Sequence, residues 1–535
     1  MSVIEASATP GSGAEGHPGA GAGPRWASRP IPAVVVGGAA GVGMALAFPP
    51  FDLWWLAPAS AAAVVFVLHR LAVTAGLRRG ARFGALVGGV FGLTFFGVLT
   101  PWLRVIGLDA FVLIVLLSLA FTALWGAGAV AVMRLPAWPL WVATWWVAVE
   151  AARSRIPFGG FPWGRVGHSQ VDAPTAGWVA LGGVPLLSFV VVLAGALLAW
   201  TVMRLWARRW LTGALGALAV VALVVAGLAV PTATSSSQIT VAVVQGNVPD
   251  TGMDAFGRRE AVLDAHLSAT HQLAADVRAG DVAAPDVVIW PENASDIDPS
   301  LDPAAMDAID AAVDDVGVPT LVGLVVEANG GENVANQGTV WSPQEGPGQT
   351  YVKQNLVPFG EYVPLRDQLD GLISRLDRIP RDFVAGDRPG LLQLGPTTVG
   401  DVICFDVAYD AAVREPVAAG AELITVQTNN ATYGRTGQVE QQWAISRLRA
   451  IEHGRSVVVA STSGISGVIA PDGSLEERAP EFEQAVIVAP VTLRDDRTLA
   501  TRVGAWPEAV LALVGMLAVA TGLLSGRRRR DGVEA

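Results

Sequence analysis

The sequence predicts an α-helical membrane bundle of eight transmembrane helices joined to one extracytoplasmic α/β domain. Hydrophobic residues make up 52% of the 535 positions and charged residues only 16%, with a mean hydropathy of +0.46, too apolar for a soluble chain of this size. Eight apolar runs approach or reach the roughly 20 residues that a bilayer-crossing helix needs. One internal stretch, residues 232–503, breaks the pattern with short β-branched runs that alternate with helical periodicity.

Residues 1–30, rich in Gly, Ala, Pro and Ser, have little to bury and are expected to form a disordered cytoplasmic tail. Seven apolar runs fill 31–231, at about 31–48, 54–69, 83–101, 111–133, 138–152, 181–203 and 211–231. The acidic residues between 31 and 230 are Asp52, Asp109, Glu150 and Asp172, as expected where charge meets hydrocarbon. Arg25 and Arg29, Arg70, Arg78, Arg79 and Arg82, Arg134, and Arg204, Arg208 and Arg209 fall on one side of the spans. Basic loops favour the cytoplasm, which sets the orientation. Arg153, Arg155 and Arg165 fall on the other side and are expected to have local partners. An eighth run, 504–526, ends in a basic cytoplasmic tail, 527–535, that begins with Arg527 to Arg530. The expectation is a multi-pass protein of the plasma membrane.

Within 232–503, strands are predicted at Ile239–Val244, Val287–Trp290, Thr320–Val326, Thr397–Cys404, Leu423–Val426 and Val457–Ala460. Helical patterns occupy about 257–278, 303–315, 407–419 and 437–453. This alternation indicates a layered α/β domain large enough to bury its own core. A net charge of -11 without a basic stripe excludes nucleic acid as a partner. One cysteine excludes an intramolecular disulfide, and six scattered histidines show no metal-ligand spacing, so no metal and no cofactor are expected.

Cys404 is the single cysteine, and Lys353 is the single lysine among 36 basic residues, so the other 35 are arginine. Where positive charge alone was needed, arginine supplied it; an ammonium is a compact donor that a guanidinium does not replace. Taken singly, Cys404 also reads as a small core hydrophobe and Lys353 as a solvated charge. Three segments place reactive side chains at predicted strand ends, where layered α/β folds gather their sites. They are Val287 to Asn293, presenting Glu292; Tyr351-Val352-Lys353 followed by Leu356 to Pro364, with Glu361; and Gly400 to Asp406, with Cys404. If they converge, Glu292 is the base for the thiol, and Lys353 with the N–H after Cys404 stabilises an oxyanion. Glu361 would orient Lys353 or the thiol. Otherwise Glu292 is a surface acid at a strand end and Glu361 a turn residue.

Trp290-Pro291-Glu292-Asn293, Tyr351-x-Lys353-x-x-Leu356-Val357-Pro358-Phe359-Gly360-Glu361-Tyr362-Val363-Pro364 and Ile403-Cys404-Phe405-Asp406 resemble the nitrilase superfamily, and within it the apolipoprotein N-acyltransferase family. Phe48-Pro49-Pro50-Phe51, Glu150 and Arg153 with Gly160-Phe161-Pro162-Trp163, Ser169-Gln170, and Ala450 to Arg455 extend the resemblance over nearly the whole chain. It implies a nitrilase-like αββα sandwich on an eight-helix base, with Glu292, Lys353 and Cys404 catalytic and Glu361, Asp406, Phe405, Asn429 and Tyr433 in support. The chain departs from the family at Phe405-Asp406, where Tyr-Glu is usual, and at Asn429-Asn430-Ala431-Thr432-Tyr433-Gly434, where Asn-Asp-Ala-Trp-Phe-Gly is usual.

The resemblance further implies transfer of an acyl chain from a phospholipid, through a thioester on Cys404, to the N-terminal α-amine of a diacylated apolipoprotein. Membrane lipid is then a partner as well as a substrate. An amphipathic stretch at 365–384, with Leu372 and Ile373, is expected either as a greasy arm over the site or as a helix packed on the domain, and Trp163 either lines the lipid entrance or anchors at the interface. The rival readings are a membrane-tethered amidase that hydrolyses a small amide, and a transporter or scaffold whose outer domain has lost catalysis.

Overall fold

The computed structural model describes residues 30–230, 237–248, 259–369 and 380–534. Of the tail expected over 1–30, residues 1–29 lie outside the described residues, as do the arm residues Leu372 and Ile373, while Pro30 opens the first helix.

The N-terminal part is helical: α1 (Pro30–Ala45), α2 (Leu56–Thr74), α3 (Leu77–Leu99), α4 (Leu108–Val132), α5 (Trp138–Arg153), α6 (Val179–Trp206) and α7 (Trp210–Leu228). The α/β part follows as β1 (Ser237–Gln245), α8 (Arg259–Ala279), β2 (Val287–Ile289), α9 (Pro303–Val316), β3 (Thr320–Ala328), β4 (Asn333–Ser342), β5 (Gly346–Val352), α10 (Arg366–Leu369), β6 (Leu391–Leu394) and β7 (Thr397–Ile403). It continues with α11 (Asp410–Ala419), β8 (Leu423–Thr428), α12 (Gly437–His453), β9 (Val457–Ser461), β10 (Gly467–Ile469), β11 (Leu475–Arg478) and β12 (Ala485–Leu493). α13 (Leu499–Val503) leads into the long final helix α14 (Trp506–Glu534).

Among the described residues, six helices are long and apolar enough to cross a membrane: α2, α3, α4, α7, the helix that includes α6, and the Trp506–Ser525 portion of α14. The other two expected spans are 16-residue helices, α1 and α5. At about 1.5 Å per residue each is about 24 Å long, shorter than the roughly 30 Å hydrocarbon core. α1 stops three residues short of its expected run, before the Pro49-Pro50 pair, whereas α5 covers its expected run in full from a Pro-flanked turn.

The strands form two six-stranded sheets, ordered β12-β1-β2-β3-β4-β5 and β11-β10-β9-β8-β7-β6. Side-chain alternation explains how they stack. Ile239, Val241 and Val243 of β1 with Val287 and Ile289 of β2 enter one core with Leu392, Val399, Leu423 and Val458 of the other sheet. Ala242, Val244 and Val288 face the opposite way, against Leu263, Leu273, Ile309 and Val313 of α8 and α9. On the far side, Val402, Ile424 and Val426 share a core with α11, α12 and the membrane helices. The layering is αββα, as the resemblance implied, with the last helical layer fused to the membrane base.

Polar bolts cross that fusion. Gln441 of α12 accepts from Trp102 Nε1 at 3.1 Å and Trp163 Nε1 at 2.7 Å, and donates to the carbonyls of Pro49 and Leu99. Arg153, Arg155 and Arg165 have the local partners expected of them: Arg153 binds the carbonyls of Phe161 and Trp163, Arg155 pairs with Glu508, and Arg165 bridges Asp410 at 2.7 Å and Glu508 at 2.9 Å.

Helices α3 and α4 approach through glycine. A Cβ on Gly88 would stand 2.3 Å from the Thr122 carbonyl oxygen, and one on Gly126 would stand 2.1 Å from that of Gly84, so only small residues permit this crossing. Gly97, on the same helix, has nothing within 4 Å. Gly88→Leu is therefore expected to destabilise the detergent-solubilised protein by about 2 kcal/mol or more, read as a lowered Tm, while Gly97→Leu leaves Tm unchanged. Equal Tm values for the two variants would reject the close-packed α3–α4 contact.

Candidate active site

Strand β7 delivers Cys404 at its end, where the chain turns into a short helical turn, Cys404–Ala408. Cys404 has φ 53°, a backbone conformation rare for a non-glycine residue and common where strain holds a functional side chain. Gln442 of α12 donates to the Cys404 carbonyl at 3.4 Å. Glu292 follows β2 after Pro291, and Lys353 follows β5. The three expected residues line one cavity of about 130 Å³ together with Glu361, Asn429 and Tyr433. Ile106, Val357, Phe359 and Phe383 supply its apolar wall.

Lys353, 1% exposed, sits between two carboxylates: Nζ is 2.9 Å from Glu361 Oε1 and 3.4 Å from Glu292 Oε1. Each carboxylate is fixed by further donors. Glu292 accepts from the Asn429 backbone N–H at 2.7 Å and from Asn336 Nδ2 at 2.6 Å, and Glu361 accepts from the Val357 N–H at 2.8 Å. Burial disfavours the Lys353 ammonium, but the facing charges of Glu361 and Glu292 outweigh it and hold the Lys353 pKa well above its ordinary value. The Cys404 thiol is pushed up to about 12 by burial and by the Glu292 charge, against the opposing pull of Lys353. Cys404 is thus a neutral thiol near a carboxylate, and any attack by it would require proton transfer.

Other expected site residues fall elsewhere. Asp406 lies behind the cavity, where Oδ2 accepts from Tyr351 OH at 3.0 Å and Oδ1 from the Asn355 N–H at 2.9 Å, gripping the chain on both sides of Lys353. Burial raises its pKa to about 6, with Lys353 opposing. Phe405 turns away from the cleft and stacks on Trp163, with centroids 5.6 Å apart and planes 4° apart. Trp163 does not line a lipid entrance: it is 1% exposed, held between Phe405 and Gln441, because its indole completes the seam between the two parts. Ile106, in the loop between α3 and α4, occupies the membrane-side wall instead.

Asn336 escaped sequence reasoning. It reaches both Glu292 and, at 3.3 Å, Glu361, yet it lies in β4, whose polar sequence Asn333-Val334-Ala335-Asn336-Gln337 carries no strand alternation or motif.

A profile of the apolipoprotein N-acyltransferase N-terminal domain matches residues 40–197, and a carbon-nitrogen hydrolase profile matches residues 240–500. A protein of Mycolicibacterium smegmatis named apolipoprotein N-acyltransferase is 40% identical over 521 residues, covering 93% of this chain and 86% of its own. The chain belongs to the apolipoprotein N-acyltransferase family. A relative of the same name from Azotobacter vinelandii is 34% identical over 520 residues, covering 92% of this chain and 95% of its own. Among solved structures, an amidase from Nesterenkonia sp. is similar to 50% of this chain and 94% of its own, at 18% identity and a TM-score of 0.34.

For this apolipoprotein N-acyltransferase family member, the raised Cys404 pKa has a measurable sign. Below about 12 the thiol stays protonated, so its thiolate fraction grows about tenfold per pH unit across pH 7–10, whereas a free thiol levels off above about 8.5. The rate of Cys404 alkylation by iodoacetamide is expected to climb through pH 10 without a plateau. A plateau at pH 9 or below would contradict the electrostatic picture.

Proposed function

We propose that the chain transfers a fatty acyl group from a phospholipid, through a thioester on Cys404, to the N-terminal α-amine of S-diacylglyceryl-cysteine on an apolipoprotein. The observation that carries this reading is the convergence of Cys404, Glu292 and Lys353 on one cavity whose wall includes Ile106 of the membrane base. Glu292 takes the thiol proton as the sulfur attacks the ester carbonyl. Lys353 and the Phe405 N–H, at the start of a helical turn where N–H groups have no partner within the turn, stabilise the oxyanion. Collapse breaks the ester C–O bond, and Glu292 returns the proton to the departing lysophospholipid oxygen. The acceptor amine then attacks the thioester, gives its proton to Glu292, and leaves as an amide while Cys404 regains its proton.

Glu361 and Asn336 act as positioning residues, holding Lys353 and Glu292 in register. Asp406 keeps the Lys353 segment seated, and Asn429 supplies the N–H that orients Glu292. Tyr433, edge-on to Trp102 at 5.3 Å, and the Phe359 and Phe383 rings make the cavity apolar enough for a thioester to wait for amine in preference to water.

In the membrane, the proposal keeps eight spans over 31–231 and 504–526, with 232–503 extracytoplasmic, the tails 1–30 and 527–535 cytoplasmic, and the plasma membrane as the site of action. The one-sided distribution of arginine among the short loops supports this orientation.

Incubation of the purified protein with dipalmitoyl phosphatidylethanolamine is expected to add one acyl mass to Cys404, discharged by a diacylated lipopeptide. Cys404→Ala should form no adduct. Lys353→Met should slow acylation by about 10²-fold or more, and Glu292→Gln by about 10²–10⁴-fold. Absence of an adduct from phospholipid together with turnover of a soluble amide would replace the transferase by a membrane-tethered amidase.

A further inference from the structure

The acyl donor named above is an anion at its phosphate, yet the cavity it must enter is lined by two carboxylates, Glu292 and Glu361, and one ammonium, Lys353. That lysine is already held by both carboxylates. The excess negative charge repels a phosphodiester unless a cation waits at the rim. Arg104 lies on the segment that leads into the cavity wall. It belongs to the turn Pro101–Val105, two residues before Ile106, which lines the cavity wall. Trp102 of the same turn meets the cavity-lining Tyr433 edge-on at 5.3 Å, which docks this segment onto the catalytic part.

Arg104 is exposed, and among the described residues it makes no ion pair or hydrogen bond through its side chain. Its guanidinium carbon lies 4.5 Å from the ring centre of Phe111, in the first turn of α4. A guanidinium resting by its flat face on a ring keeps its edge donors free, and that edge matches two phosphate oxygens. A few covalent bonds separate the glycerol phosphate from the ester carbonyl that Cys404 must reach. With the carbonyl in the cleft, the phosphate falls at the membrane-side rim.

Resting on the proposed acyl transfer, we infer that Arg104 is a specificity-determining residue that binds the phosphodiester of the phospholipid donor. Arg435 provides the comparison. It too is exposed, two residues after a cavity-lining tyrosine, with its guanidinium 4.4 Å from a ring centre, but that ring, Phe482, belongs to the loop before β12 and not to a membrane helix.

The test measures Cys404 acylation by intact mass in mixed micelles, with dipalmitoyl phosphatidylglycerol as phosphodiester donor and p-nitrophenyl palmitate as a donor without phosphate. Arg104→Gln is expected to raise the half-saturating mole fraction of phosphatidylglycerol about tenfold, to leave the rate at saturation and the rate with p-nitrophenyl palmitate unchanged, and to flatten the salt dependence seen in the unsubstituted protein. Arg104→Lys should restore part of the loss, and Arg435→Gln should match the unsubstituted protein. Unchanged phosphatidylglycerol kinetics in Arg104→Gln, an equal loss with both donors, or an equal loss in Arg435→Gln would overturn the inference. Failure of the unsubstituted protein to acquire acyl from either donor would instead overturn the transferase reading.

Discussion

A single buried ammonium held between two carboxylates is the constraint on which the site depends. Removing Lys353 from water is costly, and the facing charges of Glu361 and Glu292 offset that cost only while their geometry is kept. Each carboxylate therefore needs its own donors. The backbone N–H groups of Asn429 and Val357 and the Asn336 amide supply them, so the loops after β8 and β5 and the middle of β4 are all drawn to one point. The result fixes Glu292 as an acceptor beside a thiol that does not ionise by itself. In the proposed mechanism, a thiol kept neutral until Glu292 removes its proton is protected from adventitious chemistry, and Glu292 is aligned by the same contacts that neutralise the lysine.

That polar cluster is useful only at a fixed position relative to lipid, and the seam between the two parts provides it. Gln441 ties α12 to the turn after α1, to the end of α3 and the turn that follows it, and to the loop after α5 through four hydrogen bonds. Arg165 joins α11 to the N-terminal end of α14 through Asp410 and Glu508. Arg449, fully buried, binds Asp410 and the carbonyls of Val407 and Ala408, so the turn that carries Cys404 is tied to the same network. Displacing the helical base would strain the Cys404 turn directly. Satisfied buried charges of this kind specify one arrangement more than they add stability.

Much of this was legible in the sequence because the relevant signals are local. The runs Ile239–Val244, Thr320–Val326 and Leu423–Val426 are buried strands rich in β-branched residues, and the structure places a strand over each. The 437–453 periodicity matches α12 in full. Strands β4, β6, β10, β11 and β12 were not read from the sequence: β11, for example, is Leu475-Glu476-Glu477-Arg478, exposed throughout, and holds its place by pairing and not by burial. The lone lysine and lone cysteine marked the site before any geometry was known. Asn336 and Gln441 could not be found in this way, since an amide that satisfies a buried carboxylate or a buried indole carries no spacing of its own. Trp163 was misplaced for a related reason: an aromatic near an interface has the same sequence signature whether it meets lipid or another ring.

The departures at Phe405 and Asp406 can be understood from their surroundings. Phe405 lies flat against Trp163 and near Phe161 and Tyr409, an all-aromatic neighbourhood in which a phenolic hydroxyl would need a partner. Its absence suits the stack, and the hydroxyl has no place in the cleft because the ring points away from it. Asp406 is one methylene shorter than the glutamate usual in the family, but Tyr351 OH and the Asn355 N–H both reach its carboxylate. Burial raises this carboxyl to about 6, and its pull on the Lys353 ammonium is smaller than those of Glu361 and Glu292, which face the ammonium directly. Glu361 and Glu292 therefore carry the electrostatic load on the ammonium, and Asp406 holds the backbone from which that ammonium projects.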